Sequence, residues 1–182
     1  MWYSKGDSSS GEDSQGGLPL ARVEASTVIH APIDEVYSRA KDVEKFPEFM
    51  PDLISVRILE RRGVNTVSEW VGNVEGRRIR WVEEDEWDDA QRICRFRQRE
   101  GDFDRYEGVW TFEEAPEGTK TTISVDFELD IPIIGALLST LLRTKMRENV
   151  ERMLQALKGE LEGGSAGRAN PTGGALDQAA RR

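Results

Sequence analysis

The sequence predicts an α+β domain in which a curved seven-stranded antiparallel sheet wraps around a long C-terminal helix. Two short helices follow the first strand. Three observations carry this prediction. Apolar and polar residues alternate with period two in successive segments from Leu53 to Leu129. Short turns, most of them containing Gly, separate those segments as in a meander. A 3-4 apolar repeat then runs from about Ile134 to Glu162, the pattern of a long amphipathic helix.

Taken in order, the segment ARVEASTVIHAP reads as a strand that ends at Pro32. Pro32 suits the first turn of a helix, where its missing N–H is no loss. Asp34 and Glu35 then sit near the positive helix end, and Ile33, Val36, Tyr37 and Ala40 form one apolar face. Pro47 and Pro51 bracket a second short helical turn bearing Phe46, Phe49 and Met50.

Six strands follow. Ile54, Val56 and Ile58 alternate in the first, and RRGVN turns the chain. Ser68, Trp70, Gly72 and Val74 share a face of the second, with EGRR as the next turn. Ile79, Trp81, Glu83, Asp85 and Trp87 share a face of the third, which ends at WDDAQ. Cys94, Phe96 and Gln98 share a face of the fourth. EGDFD leads to Tyr106, Gly108, Trp110 and Phe112, and APEGT leads to Ile123, Val125, Phe127 and Leu129. In the final helix Leu138, Leu142, Met146, Val150, Met153, Leu157 and Leu161 form the stripe, while Arg143, Arg147, Glu148 and Glu151 face solvent. That stripe must cover something, and the concave sheet is the available partner. One helix fills a concavity incompletely, so a ligand cavity of roughly 300–1,000 Å³ is expected.

The chain has 182 residues with a formal net charge of −9, from 34 Asp+Glu against 25 Lys+Arg. A phosphate backbone repels such a surface, so no nucleic-acid partner is expected. Cys94 is the single cysteine and can form no internal disulfide. No N-terminal run reads as a signal peptide, and the apolar run Ile131 to Leu142 is too short to span a bilayer. A soluble cytoplasmic protein is the expectation. Residues 1–21 are read as a disordered N-terminal segment, 22–162 as the domain, and 163–182 as a disordered tail.

Several segments carry a family likeness: IHAPIDEVYSRAKDVEKFPEFMP, SEW with GRRIRWVEEDEW, GDFDRYEGVWTFEEAPEGT, IPIIGALL and ENVERMLQALK. Together they resemble the START-like helix-grip superfamily, in its polyketide cyclase/dehydrase and coenzyme-Q-binding branch. The likeness covers about residues 23–161 and is strongest to stand-alone bacterial START-domain proteins. It implies a hydrophobic cavity under the long helix, open near the helix start. It also implies an apolar ligand such as a lipid, a quinone or a polyketide, with no metal and no nucleotide.

The residues themselves add candidates. Trp70, Trp81, Phe96, Tyr106, Trp110, Phe112 and Phe127 on the sheet, with Leu138, Leu142 and Met146 on the helix, are the candidate ligand-binding set. Core packing is the competing reading for each one. Leu137, Leu138, Leu141 and Leu142, beside Ile133 and Ile134, suggest a pocket mouth, a transient membrane contact or an interface.

Glu83 and Asp85 face the cavity if their strand is regular, and would then have raised pKa values suited to acid or base work. A bulge before Trp87 would turn them to solvent instead. Arg105 and Tyr106 complete the candidate catalytic group. Arg80, Arg95, Arg97 and Arg99 are expected on the outer face, paired across strands. His30 stands alone, no Ser lies in a nucleophile elbow, and no metal-ligand spacing is present, so neither cofactor nor metal is expected.

Three functions follow as expectations. The first is binding or transport of a hydrophobic small molecule. The second is aromatase/cyclase action on a polyketide. The third is a protein-interaction module. Oligomeric state stays open.

Overall fold

A computed structural model describes residues 21–74, 76–128 and 136–165. The expected arrangement of elements is present. Strand β1 (Ala21–Ile29) leads to α1 (Ile33–Lys41), a 3₁₀ turn (Val43–Lys45) and α2 (Phe46–Phe49). Six strands follow: β2 (Leu53–Arg62), β3 (Asn65–Val74), β4 (Arg77–Asp88), β5 (Ile93–Gly101), β6 (Arg105–Ala115) and β7 (Gly118–Glu128). Helix α3 spans Ala136–Ser165. Regular elements therefore reach one residue earlier and three later than the expected 22–162 domain. Ala21 is held in the ladder opposite Phe127, and α3 carries its helical backbone through Gly163.

The strands form one antiparallel sheet in the order β1-β7-β6-β5-β4-β3-β2. Hairpins join β2 through β7, and β1 returns to the free edge of β7. The sheet is curved, and α3 lies across it on the β1 side. Val150, Leu154, Leu157 and Leu161 are buried at that contact, which is the apolar stripe laid onto the sheet.

Polar ties fix the helix along its length. Arg147 Nη1 donates to the Glu24 carbonyl at 3.0 Å and Lys158 Nζ to the Val28 carbonyl at 2.7 Å. Glu162 Oε1 accepts from the His30 backbone N–H at 2.9 Å and lies 2.8 Å from His30 Nδ1. His30 thus serves as a clasp between the end of β1 and the end of α3. Nearer the middle of the helix, Arg152 Nε donates to Asp52 Oδ2 at 2.7 Å, tying α3 to the segment between α2 and β2.

Helix α1 buries Val36, Tyr37 and Ala40, as the apolar spacing requires. Tyr37 packs edge-on against Trp87 and Phe112 at 5.5 and 5.3 Å between ring centroids. Its hydroxyl donates to Asp89 Oδ1 at 2.9 Å. Gly118 has φ +139 and sits where a Cβ would lie 2.2 Å from the Ile29 carbonyl oxygen. A side chain there would force β7 away from the end of β1.

The outer face carries a charge lattice. Arg80 Nε donates to Glu69 at 2.8 Å, and Arg97 Nη2 to Glu84 at 2.8 Å. These are exposed pairs, each a small contribution to stability.

Among the described residues, three register shifts interrupt the sheet: one leaves Leu59 of β2 unopposed between Ile58 and Glu60, and the other two bear on the site. The β2–β3 register moves between Leu53 and Ser55, so Leu53 pairs with Gly72 and Val56 with Trp70. Ile54 is the extra residue and is 48% exposed, whereas alternation alone put it on the face of Val56. The second shift lies between β4 and β5. Glu83 pairs with Gln98 and Val82 with Glu100, leaving Arg99 unopposed. The extra residue therefore sits in β5, and β4 runs regularly past Trp81, Glu83, Asp85 and Trp87.

Candidate functional site

That regularity decides the fate of the two carboxylates. Glu83 and Asp85 point into the domain with Trp81 and Trp87, and both are buried, at 7% and 3% exposure. They line a cavity between the sheet and α3. The bulge that would have turned them outward is on the neighbouring strand.

The cavity is largely aromatic. Trp70 and Trp81 are directly paired in the ladder, and their rings stack at 5.7 Å with planes 13° apart. Tyr106 meets Trp81 at 5.9 Å and Phe96 at 5.5 Å, and Phe103 stacks on Tyr106 at 4.8 Å. Trp110 closes the β6 side, and Phe46 of α2 lies against Trp70 at 5.9 Å. Helix α3 supplies the lid through Leu142, Met146, Val150 and Met153, with Lys145 and Asn149 beside them.

The free space enclosed is about 100 Å³. That holds several waters but falls below the expected 300–1,000 Å³. The expectation overstated the volume because it treated the concavity as bounded by backbone. Indole and phenyl rings from the sheet and thioethers from α3 take up much of that space.

Every sheet residue of the candidate ligand set is buried or half-buried, but not all reach the cavity. Trp70, Trp81, Phe96, Tyr106 and Trp110 line it, as do Leu142 and Met146 of the helix. Phe112 and Phe127 face the same side of the sheet but are used in packing. Phe112 stacks on Trp110 at 6.1 Å under Tyr37 of α1, and Phe127, 1% exposed, lies in the core. The side chain of Leu138 lies outside the described residues, as do those of Ile133, Ile134 and Leu137.

Among the candidate catalytic residues, Glu83, Asp85 and Tyr106 converge on the cavity. Arg105 does not. It stands half-exposed on the outer face, where its guanidinium holds Glu107 two residues along the strand. Odd and even positions of β6 point to opposite faces, so Arg105 and Tyr106 cannot share a site.

Sequence reasoning missed Phe103, Met153, Leu53 and Asn149 as cavity residues. Phe103 sits in the EGDFD hairpin, outside any alternating run, and folds back because its carbonyl accepts from Gln98 Nε2 at 2.7 Å. An aromatic residue in a turn of Gly and Asp was the available signal.

The electrostatics follow from burial. Glu83 Oε2 accepts the Trp81 indole N–H at 3.0 Å. Burial nonetheless pushes the Glu83 carboxyl well above the usual carboxylate range, and the neighbouring Asp85 charge adds to the rise. Burial also raises Asp85 from its ordinary 3.8 to about 7. Hydrogen bonds from the Glu83 carboxyl and, at a long 3.9 Å, from the Cys94 thiol to Oδ1 hold that rise in check. Burial, reinforced by the two acids, also pushes the Tyr106 phenol and the Cys94 thiol upward, so neither ionises at neutral pH. Cys94 is therefore a neutral thiol and a poor nucleophile. At neutral pH the site holds a protonated Glu83 beside an Asp85 close to its titration midpoint, a pair able to exchange a proton with a bound molecule. No cluster of His, Cys, Asp and Glu suited to a metal ion occurs among the described residues. No described helix is long and apolar enough to cross a membrane.

With this geometry in place, comparison with known proteins is informative. A family model described as polyketide cyclase / dehydrase and lipid transport matches residues 29–154. A Streptomyces cyaneus protein provisionally named a polyketide cyclase is 32% identical over 119 residues, which are 62% of this chain and 78% of the relative. Among solved structures, the TTHA0849 protein of Thermus thermophilus is 41% identical with a TM-score of 0.77, covering 80% of this chain and 99% of that one. The Zhui aromatase/cyclase from a Streptomyces species superposes with a TM-score of 0.73 at 23% identity, covering 86% and 99%. At that identity the likeness is one of fold.

Proposed function

The chain belongs to the polyketide cyclase / dehydrase and lipid transport family, and from that premise we propose that it binds a small apolar ring compound in the cavity between sheet and α3. The observation that carries this reading is the stacked aromatic wall of Trp70, Trp81, Tyr106 and Phe103 facing a lid of flexible side chains, Leu142, Met146 and Met153. Flat rings present large apolar faces at little conformational cost, and thioethers adapt to what lies beneath them. A free volume near 100 Å³ is on the scale of a single ring, with fused rings and longer polyketide, quinone or lipid chains requiring the lid to lift. Trp70, Trp81 and Trp110 all line the cavity, so binding should alter indole emission. The test is fluorescence titration with one- and two-ring aromatic compounds, alongside native mass spectrometry of protein from its own host. Saturable quenching with a stoichiometric bound mass is the expected result. Unchanged emission across the series and a ligand-free mass would overturn the reading.

A second reading is favoured by one specific observation, the protonatable pair Glu83 and Asp85 on the wall of an apolar cavity. In an aromatase/cyclase, such a cavity folds a reactive chain, excludes water and moves protons through a few polar groups. Glu83 would donate and Asp85 would accept. The Streptomyces relatives' names point the same way. Turnover of a poly-β-ketone thioester, lost in Glu83→Gln and Asp85→Asn, would support it. Binding without turnover leaves the carrier reading.

A further inference from the structure

The geometry points to the seam between α3 and residues 51–53 as the way into the cavity, with Asp52 as the latch that holds it shut. Entry here presupposes the reading of the cavity as a ligand site, and goes beyond it in naming the route and the group that closes it.

The polar groups of the cavity wall mark where it meets water. Apart from the Glu83–Asp85 pair, its charged and amide side chains are Asp52, Asn73, Lys145 and Asn149. None of these four is buried. They also gather at one place. The Asn73 backbone N–H donates to the Asp52 carbonyl at 2.8 Å, which pins Asp52 to the end of β3. On the helix, Lys145, Asn149 and Arg152 recur at 4-3 spacing, so one edge of α3 turns toward Asp52. Asp52 Oδ2 accepts from Arg152 Nε at 2.7 Å and lies 3.5 Å from Asn149 Nδ2. A second, smaller void of about 20 Å³ adjoins this contact and shares Asp52, Leu53, Asn149 and Met153 with the main cavity. Space therefore continues on both sides of the latch. Its walls include the flexible thioethers of Met50 and Met153, which can yield to a passing ligand. Among the described residues the other flank of α3 offers no such seam. Val150, Leu154 and Leu157 are buried there, and Arg147 and Lys158 are held by β1 carbonyls. The Asp52–Arg152 pair is partly exposed, with side chains 34% and 48% accessible. Such a pair is a weak tie, able to break when the lid lifts for a fused ring and to close again behind it.

The experiment uses prodan, a neutral two-ring fluorophore whose emission moves to the blue when it leaves water, in stopped-flow mixing with the full chain. Asp52→Ala and Arg152→Gln should each raise the association and dissociation rates about two- to fivefold, with affinity kept within about twofold. Both rates rise together because the tie is broken in passage and remade on either side of it. Raising the salt to about 0.5 M should speed the wild type toward the variants and leave the variants unchanged, since it screens the ion pair and prodan carries no charge. Arg147→Gln, which cuts a tie on the other flank of α3, should lower stability to urea to a comparable extent and leave both rates alone. Wild-type rates in both seam variants, or the same acceleration in Arg147→Gln, would overturn the route while leaving the cavity as a ligand site. No shift of prodan emission with the wild type would overturn the binding reading and the route with it.

Discussion

Asp85 makes stability depend on pH in a direction opposite to that of most carboxylates, and Asp85→Asn tests this. The folded chain raises Asp85 from 3.8 to about 7. The native state therefore holds this proton more tightly than the unfolded chain does. Between those two values the native state binds more protons, so stability falls as pH rises, and the loss is complete above the folded value. The full shift corresponds to about 4 kcal/mol at 1.36 kcal/mol per pH unit, of which roughly 2–3 kcal/mol falls between pH 5 and pH 8. Glu83, also raised, acts in the same direction.

The exposed acids act oppositely. Glu69, Glu84, Asp89 and Glu162 are lowered, chiefly by hydrogen bonds from Arg80, Arg97, Lys41 and the His30 backbone N–H respectively. Their contribution is present above the ordinary carboxylate range and is lost as pH falls below it, outside the pH 5–8 window. Asparagine imitates the protonated acid in shape and charge. Urea unfolding at pH 5, 6, 7 and 8 should show wild type losing stability across the series and Asp85→Asn losing much less. The variant should be the more stable of the two at pH 8 by a few kcal/mol. Parallel profiles for the two proteins would refute the placement of an ionisable Asp85 in a dry site.

Other substitutions probe separate parts of the account. Gly108→Ala should destabilise by about 3 kcal/mol or more in thermal melts, because its Cβ would lie 2.1 Å from the Ser124 carbonyl oxygen and 2.5 Å from the Phe96 ring. Trp81→Phe removes the indole N–H held by Glu83 and should cost about 1–3 kcal/mol in urea unfolding while weakening ring-compound affinity. Arg105→Ala, on the outer face, should leave stability within about 0.5 kcal/mol and ligand titrations unchanged; a loss of binding would return Arg105 to the site.

Much of this architecture was legible in the sequence because its elements obey a single period each. The β4 backbone keeps period two from Ile79 to Trp87, so the inward face, both carboxylates included, follows once no bulge intervenes, even though Val82 of the opposite face is buried too. The α3 stripe was readable for the same reason. Period-two reasoning fails where one strand holds an extra residue. It misplaced Ile54, and it weighed a bulge before Trp87 in β4 where the extra residue lies at Arg99 in β5. It also assigns a face and not a neighbour. Phe112, Phe127 and Trp110 read alike, yet α1 and the core claim the first two and leave only Trp110 at the cavity. Arg105 shows the cost of neglecting parity: one position from Tyr106, it had to point the other way.

Burying the Glu83–Asp85 pair is a cost the fold need not have carried. Well-packed apolar residues of similar volume in place of buried charges are often neutral or stabilising. Ser68, Trp70 and Trp81 already provide a close-packed wall on which leucines could stand. A pair of carboxyls kept in such a place, on the wall of an apolar cavity, is better explained by what enters the cavity than by what holds the sheet together. The two roles separate in one variant. If Asp85 were structural, Asp85→Asn would lower stability, and any change in affinity would follow from that loss. If Asp85 serves the ligand, the same substitution raises stability at pH 8 and weakens ligand binding or turnover. Gain of one property with loss of the other is the trade expected of a functional residue held in an unfavourable environment.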